Sequence, residues 1–512
     1  MTDSSRPAGP AGELRLPPAL AGLQDRRIDV VGIAGVEGGE IARFLLAAGF
    51  TKVVGHDQQP DLASLTEAHR LAHAGADEVE RERRLAHLRE GLAGLNLGDS
   101  YLDGIEESCL VIPSQAWFLN PANLVLHRLR QEGLPFYSLV QAYLDLALGP
   151  VIGVTGSHGK STTSSLVAAA LRQARLFPFV WLGGNDRHNQ QALEEVARDG
   201  SGQGCLVLEI SNRQLLQATT APGISAITNI TPNHLEEHGG MAGYIACKRR
   251  IFDLDGCRVA VRNADDPVTA AAGPLRPGIH ELRFARAGES LHGCDGAFLS
   301  EGAIWMRIEG RDTEVLQTSR LRLRGDHNLA NVLAAVAICS APGIGVAGRE
   351  DAIGEGICRF GTLAHRIQLI WQEAAVDYYD DLSSTTPQST LAAVRTVGRP
   401  VVLICGGQDK GIPFDELAAE VGASVRAVVL LPGDGSERIA QAVALRSRSD
   451  LVISVATLEE AVKAARELAS AGEAVLLSPA CPGFFSAHYR HGGYRNLLRR
   501  LSTSPRRRRA PV

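Results

Sequence analysis

The sequence lacks the features that mark several classes of protein. Its 512 residues contain no apolar run of about 18 residues, so no membrane-spanning helix is predicted. Nine cysteines are scattered without a Cys-x-x-Cys pair, which favours reduced thiols in a cytoplasmic protein over disulfides or zinc. The net charge is only −5, which gives no indication of nucleic-acid binding. Residues 1–18 lack the basic-then-apolar order of a signal peptide, and we expect them to be flexible.

A glycine-rich turn between a predicted strand and a predicted helix is the strongest motif of the chain. Val151-Ile-Gly-Val-Thr155 has the composition of a buried strand, and residues 164–173 are typical of a helix. Backbone N–H groups and the positive end of a helix dipole in such a turn bind phosphate. Lys160 adds a positive charge, and the Ser161 hydroxyl can ligate Mg²⁺. The usual P-loop has glycine at the position of Val154, so this is a variant; a structural turn with a surface lysine is the alternative.

The N-terminal region has the strand, glycine-rich turn, helix and strand of a Rossmann half. A short apolar strand at residues 27–33 leads into a turn containing Gly35, and Asp57 ends the next strand, about 20 residues later. The glycine spacing is irregular, so a Rossmann-like fold without a bound nucleotide remains an alternative. Residues 61–95 predict one or two amphipathic helices, with a charged, solvated face and apolar positions that include Leu65, Val79 and Leu88.

Polar side chains stand at the ends of two predicted strands in the middle of the chain. Glu209 lies in the strand at 206–210, and His234 follows the strand at 224–230. An open α/β sheet binds ligands at the carboxyl ends of its strands. Both residues are therefore candidates around Mg²⁺ and a transferring phosphate, although each alone is more often a structural histidine or a surface acid.

The C-terminal third predicts a second parallel sheet with helices between its strands. The predicted strands are 376–379, 401–405, 428–431, 451–455 and 474–477. Polar clusters follow three of them: Asp380-Asp-Leu-Ser-Ser-Thr-Thr-Pro387, Gly406-Gly-Gln-Asp-Lys410 and Ser478-Pro-Ala-Cys-Pro-Gly483. The arginine-rich end of the chain, residues 503–512, predicts a solvated tail, with weak anionic contact as the alternative.

In this order, the motifs resemble those of the Mur ligases, ATP-dependent amide ligases that build the peptidoglycan stem. They are Thr155-Gly-Ser-His-Gly-Lys-Ser-Thr162, Gly183-Gly-Asn185, Glu209-Ile-Ser211, Asn229-Ile-Thr231 with His234, Tyr244 with Lys248, Asn263-Ala-Asp-Asp266, His327-Asn-Leu-Ala-Asn331, His365-Arg366, Asp380-Asp381 and Ser478-Pro-Ala-Cys481. The resemblance covers about residues 27–501 and is weakest in the first region, where Pro113-Ser-Gln115 replaces the Ser-Pro-Gly turn familiar in the family.

The resemblance implies an α/β protein of three domains. A Rossmann-like domain that binds the UDP substrate is expected over 19–148. A central P-loop ATPase-like domain with a mostly parallel sheet is expected over 149–342. A Rossmann-like domain that binds the amino acid is expected over 343–502.

The implied reaction is ligation through an acyl phosphate. ATP phosphorylates the carboxylate of UDP-N-acetylmuramoyl-L-alanine, and the amine of D-glutamate attacks, in a cytoplasmic step of peptidoglycan precursor synthesis. Ser384-Thr-Thr-Pro387 resembles a branch that adds L-glutamate to the same acceptor, which is one alternative. A Mur-like ligase for another carboxylate and amino acid is a second alternative, and a nucleotide-binding protein without ligation is a third. The predicted partners are small molecules only, acting on a monomer.

The resemblance also assigns roles to individual residues of this sequence. Lys160, His234 and Lys248 would be catalytic. The ATP contacts would be Gly156, Ser157, His158, Gly159, Lys160, Ser161, Thr162, Asn328, Arg366 and Asp381. The Mg²⁺ ligands would be Ser161, Glu209, His234 and Lys248, the last as a carbamylated lysine. The substrates would contact Gly35, Asp57 and Asn185 on the UDP-sugar side and Thr385, Lys410 and Ser486 on the glutamate side.

Overall fold

The structure of the protein is a computed structural model that describes residues 12–73, 78–120, 123–185, 191–409, 411–481 and 493–502. These residues form two compact units. The first runs to Arg322 and continues over Asn328–Phe360, and the second comprises Leu323–His327 and the chain from Gly361. Within these described ranges, no helix combines the length and apolar character needed to cross a membrane.

The first unit begins with a four-stranded parallel sheet of Rossmann type, in the order β3-β2-β1-β4. Its strands are β1 (Ile28–Val31), β2 (Val53–Asp57), β3 (Gly94–Leu97) and β4 (Leu110–Pro113). Its helices are α1 (Val36–Ala47), α2 (Leu62–Ala72), α3 (Glu78–Gly91), α4 (Leu124–Gln131) and α5 (Leu139–Leu146). All four residues of β1 are buried, as expected for a parallel strand covered on both faces.

Two helices occupy the segment that the sequence predicts as one or two amphipathic helices. Leu65 of α2 and Leu88 of α3 are buried, in agreement with the predicted apolar face. Val79, predicted on the same face, is 77% exposed, because it lies in the first turn of α3, where the helix begins. The helical prediction is therefore confirmed, and the predicted burial holds only for part of the face.

A nine-stranded sheet forms the remainder of the first unit, in the order β13-β12-β11-β10-β9-β8-β5-β7-β6. Its strands are β5 (Val151–Thr155), β6 (Val180–Gly184), β7 (Cys205–Glu209), β8 (Ile224–Ile227), β9 (Val259–Asn263), β10 (His280–Ala285), β11 (Asp295–Ser300), β12 (Ala303–Ile308) and β13 (Arg311–Gln317). The strands from β6 to β11 are parallel, and β12 and β13 extend the sheet as an antiparallel meander that the sequence analysis did not predict. The order places the carboxyl ends of β8, β5 and β7 side by side.

Eight helices accompany this sheet in the described part of the chain. They are α6 (Lys160–Ala174), α7 (Leu193–Arg198), α8 (Asn212–Gln217), α9 (Leu235–His238), α10 (Met241–Asp253), α11 (Pro267–Ala270), α12 (Asp326–Cys339) and α13 (Glu350–Arg359). Helix α13 packs on α6 and β13, with Ile353 and Ile357 buried. The second compact unit consequently begins at Gly361, whereas the sequence analysis places the start of the third domain at 343.

Residues 12–18, which the sequence analysis expects to be flexible, make specific contacts instead. The Arg15 guanidinium donates hydrogen bonds to the carbonyl oxygens of Leu146, Val196 and Asp199 at 2.7, 3.0 and 3.1 Å. These carbonyls lie at the ends of α5 and α7, where helices leave acceptors without an internal donor. One side chain thus satisfies carbonyls at the ends of both α5 and α7. Residues 1–11 lie outside the described ranges.

The second unit contains a six-stranded sheet in the order β14-β15-β19-β16-β17-β18. Its strands are β14 (Gln368–Glu373), β15 (Val376–Asp380), β16 (Val401–Cys405), β17 (Val425–Leu430), β18 (Val452–Ser454) and β19 (Ala474–Leu477). Its helices are α14 (Pro387–Val397), α15 (Asp415–Glu420), α16 (Asp434–Ala444), α17 (Leu458–Leu468) and α18 (Gly493–Ser502). Five strands are parallel, as predicted, and β14 is an unpredicted antiparallel edge strand. The basic tail at 503–512 lies outside the described ranges.

Candidate active site

The turn between β5 and α6 has the backbone geometry of a phosphate-binding loop. Gly159, directly before α6, has φ of 83°, and Gly156 has φ of 146°. A Cβ atom on Gly159 would lie 2.1 Å from Asn331 Oδ1, and one on Gly156 would lie 2.0 Å from Thr228 Oγ1. Both positions therefore require glycine, because of backbone conformation and because of close neighbours. Ser161 and Thr162 are buried in the first turn of α6.

Residues at the end of β8 hold the loop from the side. Ser157 N–H donates to the Asn229 carbonyl at 2.9 Å, and its hydroxyl contacts both the Thr231 carbonyl and the Tyr244 hydroxyl. His158 N–H donates to Asn229 Oδ1 at 3.0 Å. Asn229 and Thr231 belong to a motif of the resemblance, and their hydrogen bonds show that they support the loop.

Lys160 carries its ammonium group over the loop. Its Nζ donates to the carbonyl oxygens of Gly156 and Ser157 at 2.9 and 3.1 Å. The positive charge is thus held above the N–H groups at the start of α6, where the helix dipole also favours an anion. The loop can bind a phosphate of either a nucleotide or another phosphorylated molecule.

Glu209, at the end of β7, presents one carboxylate oxygen that its surroundings leave without a hydrogen bond. Its Oε1 accepts from Asn185 Nδ2 at 2.9 Å, and its side chain is buried. Among the residues that the structure describes, none donates to Oε2. A buried carboxylate oxygen without a donor is costly, and a cation satisfies it. The donor set therefore fits Mg²⁺, which prefers carboxylate and hydroxyl oxygens.

A side chain from the first sheet extends this hydrogen-bonding chain. Gln115 follows β4, and its Nε2 donates to Asn185 Oδ1 at 2.9 Å, while its Oε1 accepts from the Ser211 hydroxyl. Its backbone N–H donates to Glu37 Oε2 at 2.7 Å. The sequence analysis notes Gln115 only as a departure from a family motif. Its position just beyond a buried parallel strand was the signal that could have indicated a site residue.

Lys248, in α10, is a buried amine close to the loop. It is 1% exposed, and its Nζ donates to Thr155 Oγ1 at 3.0 Å. Burial lowers the pKa of Lys248 well below that of an ordinary lysine, and the charge of Lys160 lowers it further, against the opposing effect of Glu209. The structure thus brings Lys160, Glu209 and Lys248 within electrostatic range of one another. A neutral amine is also the form that reacts with carbon dioxide, so the environment fits a carbamylated lysine.

His234 lies beside two carboxylates at the start of α9. Its Nδ1 is 2.8 Å from Glu237 Oε1, and His234, Glu236 and Glu237 place possible ligand atoms within 4.8 Å of one another. Burial raises the pKa of Glu237, but hydrogen bonds from Arg213 and His234 outweigh it and hold that pKa well below the usual range. Glu237 and Arg213 were not predicted from the sequence, because their ion pair joins α8 to α9 and neither follows a strand.

Gly35 and Asp57 come together at the carboxyl end of the first sheet. Gly35 directly precedes α1, and Asp57 Oδ2 accepts from the N–H of the adjacent Ala34 at 2.9 Å. Burial raises the pKa of Asp57, against the lowering effect of this and other backbone hydrogen bonds. The carboxylate therefore holds the turn between β1 and α1 in place, where a Rossmann fold binds its ligand.

Two further predicted contacts lie in α12 and in the second unit. Asn328 Oδ1 accepts from Asn331 Nδ2 at 3.3 Å, and Asn331 Oδ1 in turn lies beside Thr163 of α6. Asp381 is buried, with Ser478 Oγ donating to it at 2.7 Å. Burial raises the pKa of Asp381 to about 7, against the lowering effects of Ser384, Ser478 and the nearby Arg366.

The predicted glutamate contacts are only partly described. Thr385 is half-buried and directly precedes Thr386, whose hydroxyl accepts from Ser389 N–H at the start of α14. Lys410 and Ser486 lie outside the described ranges. The structure thus gives a place to one of the three residues predicted for this substrate.

Comparisons with known proteins agree with this geometry. The family model described as Mur ligase middle domain matches residues 154–339, and that described as Mur ligase, glutamate ligase domain matches residues 365–481. The chain belongs to the Mur ligase family. The resemblance drawn from the sequence motifs is thereby confirmed, and so is the α/β fold with three parallel-rich sheets.

Two similar relatives carry the same description. The UDP-N-acetylmuramoylalanine--D-glutamate ligase of Symbiobacterium thermophilum is 35% identical over 492 residues, which cover 94% of this chain and 100% of that protein. The protein of the same description from a Roseiflexus species is 34% identical, covering 81% of this chain and 90% of that protein.

Solved structures of Mur ligases have the same fold. The UDP-N-acetylmuramate-alanine ligase MurC of Thermotoga maritima gives a TM-score of 0.57 at 20% identity, covering 94% of this chain and 100% of that one. A pseudomurein peptide ligase type C of Methanothermus fervidus gives 0.53 at 18% identity, covering 93% and 100%. At these identities the likeness concerns the fold alone.

Proposed function

We propose that this protein is an ATP-dependent ligase that adds D-glutamate to UDP-N-acetylmuramoyl-L-alanine in peptidoglycan precursor synthesis. The observation that carries the proposal is the 35% identity to a D-glutamate ligase over that protein's full length. The phosphate loop, the buried Glu209 and the buried Lys248 supply what an acyl-phosphate mechanism requires. The small-molecule partners are therefore ATP, the UDP-linked acceptor and glutamate.

Residues around the nine-stranded sheet have separate roles in phosphoryl transfer. The loop from Gly156 to Thr162 is assigned to the phosphates of ATP, with N–H groups at the start of α6 as donors, and Lys160 neutralises charge on the phosphoryl group that is transferred. Ser161 and Glu209 would hold one Mg²⁺, and His234, with carbamylated Lys248, would hold a second. The metal ions would supply further positive charge against the phosphate oxygens. Water exclusion and positioning then allow the glutamate amine to attack the acyl phosphate.

Carbamylation of Lys248 is part of this proposal. The neutral amine attacks carbon dioxide, a nitrogen–carbon bond forms, and one proton leaves to solvent, so an anionic carbamate replaces the amine. An ammonium repels Mg²⁺, whereas a carbamate oxygen is a suitable ligand. The lowered pKa of Lys248 supports the step, because it increases the fraction of the amine that is uncharged and able to react.

The remaining assignments follow the resemblance. Gly35, Asp57 and Asn185 bind the UDP-sugar, and the hydrogen bond from Ala34 to Asp57 supports a preformed turn there. Arg366, Asp381 and Asn328 are assigned to ATP. Lys410, Thr385 and Ser486 are assigned to the incoming glutamate.

The L-glutamate alternative rests on the resemblance of Ser384-Thr-Thr-Pro387 to a branch that adds L-glutamate. The Thr386 hydroxyl of this motif caps α14 by accepting from Ser389 N–H, with Pro387 in the first turn. This role in helix initiation is compatible with either enantiomer. The relatives at 30–35% identity described as D-glutamate ligases favour the D enantiomer.

Phosphate release and product mass distinguish these functions. The purified protein receives ATP, Mg²⁺, UDP-N-acetylmuramoyl-L-alanine and either D- or L-glutamate, with other amino acids as a panel. We expect phosphate release and an acceptor enlarged by one glutamate only with the D form. A folded Lys160→Ala variant is the negative control for contaminating activity. Faster ligation of L-glutamate, or of a different amino acid, would overturn the proposal.

A further inference from the structure

We propose that Gln115 is a positioning residue that links the loop after β4 to the metal-facing carboxylate of Glu209. The inference rests on the proposed function and adds a role for a residue that departs from the family motif. Four groups form one directed chain: the Ser211 hydroxyl, the Gln115 amide, the Asn185 amide and the Glu209 carboxylate.

The donor-to-acceptor direction of this series of hydrogen bonds is set at both of its ends. The Ser211 oxygen accepts from Gln214 N–H at 3.1 Å, so the hydroxyl proton is available for Gln115 Oε1. At the other end, a carboxylate accepts only, so Asn185 must turn its NH₂ group towards Glu209. Gln115 satisfies both ends at once, with its oxygen towards Ser211 and its Nε2 donating to Asn185 Oδ1 at 2.9 Å.

This series of hydrogen bonds determines which oxygen of Glu209 is left for the proposed metal. Asn185 Nδ2 donates a hydrogen bond to Glu209 Oε1. Oε2 is therefore the carboxylate oxygen that has no donor among the described residues. If the Asn185 amide rotated by half a turn, its oxygen would face the carboxylate and repel it. Gln115 opposes that rotation, because within the described part of the chain only the observed orientation gives Asn185 Oδ1 a donor.

Gln115 is itself held by helices that accompany the two sheets of the first unit. Its backbone N–H donates to Glu37 of α1, and its backbone carbonyl accepts from Gln217 of α8 at 3.3 Å. The neighbouring Ser114 lies against Gly32 in the turn assigned to the UDP-sugar. The loop after β4 therefore touches the proposed acceptor site through Ser114 and the proposed metal site through Gln115.

Three variants separate positioning from packing. Gln115→Ala removes the amide. Gln115→Glu has the same shape and still accepts from Ser211, but it places an oxygen against Asn185 Oδ1. Gln217→Ala is the matched control, because Gln217 touches the same residue only through the backbone carbonyl. A packing role predicts a mild effect for Gln115→Glu, whereas a positioning role predicts a loss at least as large as for Gln115→Ala.

The decisive readout is Mn²⁺ affinity, measured by electron paramagnetic resonance with a non-hydrolysable ATP analogue bound. We expect both Gln115 variants to bind Mn²⁺ about 10- to 100-fold more weakly than the wild type, the range typical of residues that orient metal ligands. In turnover, kcat should fall by a similar factor while KM for ATP and glutamate changes little. Circular dichroism confirms that each variant is folded.

The outcomes separate this inference from the proposed function. Wild-type Mn²⁺ affinity and kcat in a folded Gln115→Glu variant would overturn the positioning role. Absence of ligation by the wild-type protein would instead overturn the proposed function, and the Mn²⁺ comparison would still decide the role of Gln115. A loss in Gln217→Ala equal to that in Gln115→Ala would assign the effect to the loop as a whole and contradict the inference.

Discussion

At the scale of single residues, Lys248 illustrates how burial changes the chemistry of an amine. Lys248 lies in the middle of α10, which packs against β5. Its Nζ donates to the Thr155 hydroxyl oxygen at 3.0 Å. A protonated amine would be costly there, both through desolvation and through the nearby charge of Lys160. The sequence places Lys248 on a helix, but only the tertiary structure shows the burial that lowers the pKa of its amine.

We expect Lys248→Ala to be nearly inactive and to regain part of its activity with acetate. The small carboxylate can occupy the space of the missing carbamate and present an anionic oxygen to the metal. Phosphate release over a range of acetate concentrations measures the rescue, and incorporation of ¹³C-labelled bicarbonate into the wild type detects the carbamate by NMR. Lys160→Ala is the matched control, because acetate cannot replace its positive charge. Absence of both rescue and labelling would contradict carbamylation.

At the scale of elements, the phosphate loop depends on Gly159, the glycine directly before α6. Gly159→Ala should reduce ATP affinity and stability together. A side chain at positive φ costs about 1–2 kcal/mol, and here Cβ would also overlap Asn331 Oδ1. Gly49→Ala is the control, since Gly49 has a similar φ of 81° with no atom within 4 Å of the added carbon in the described structure. Thermal unfolding and nucleotide titration compare the two; equal losses would contradict the specific role of Gly159.

The helices α2 and α3 enclose a pair of histidines that should make stability depend on pH. His69 and His73 are buried with ring centroids 4.1 Å apart, and neither Nε2 has a partner among the described residues. Burial lowers the pKa of His69 to about 4 and that of His73 to about 3, and the charges of Arg43 and Arg84 lower both further. Both rings are therefore neutral in the folded protein near pH 7.

We expect the protein to lose stability as the pH falls from about 6.5 towards 4. Above pH 6.5 the histidines are neutral in both states and have no effect. Below it, the unfolded chain takes up protons that the folded protein does not, so unfolding is favoured by up to about 1.4 kcal/mol per pH unit for each histidine. Denaturant unfolding of His69→Leu/His73→Leu should show a shallower pH dependence than the wild type. The exposed His280→Leu is the control, and equal slopes for all three proteins would contradict the assignment.

At the scale of the whole molecule, the end of the first unit is set by α13. Gly354 and Gly356 allow α13 to approach closely, since a Cβ on Gly354 would lie 2.0 Å from the Val315 carbonyl and one on Gly356 would lie 2.8 Å from that of Ala169. Ile353 and Ile357 are buried beside them. The helix therefore completes the core of the first unit.

Two fragments test this boundary. A fragment of residues 1–360 should unfold cooperatively, because it contains both sheets of the first unit and α13. A fragment of residues 1–342 lacks α13 and should be much less stable, since burial of each isoleucine contributes about 1.5–3 kcal/mol. Circular dichroism during thermal unfolding compares them. Equal stability would place the boundary near 343, as the sequence analysis predicts.

The fold was largely predictable from the sequence where its elements are local. Buried strands such as β5, β7 and β16 are short apolar runs, and their carboxyl ends were recognised from the polar residues that follow them. The meander of β12 and β13 was missed, because half-exposed strands such as Arg311–Gln317 carry mostly polar residues. The predicted start of the third domain at 343 stays a prediction; the compact unit that resumes at Gly361 differs from it because α13 packs on α6 and β13, which are distant in sequence.

The sequence by itself determined the family, the phosphate loop and the identity of most candidate site residues. A strand, a turn and a helix that are consecutive in the chain form their site through local geometry, so their order is sufficient. Only the tertiary structure joined Gln115 to Asn185 and Ser211, and brought Lys248 to Thr155. These contacts link residues 70 to 96 positions apart. Hydrogen-bond direction and burial depend on such packing, and they decide which oxygen of Glu209 is left without a donor among the described residues and in which direction the pKa of Lys248 shifts.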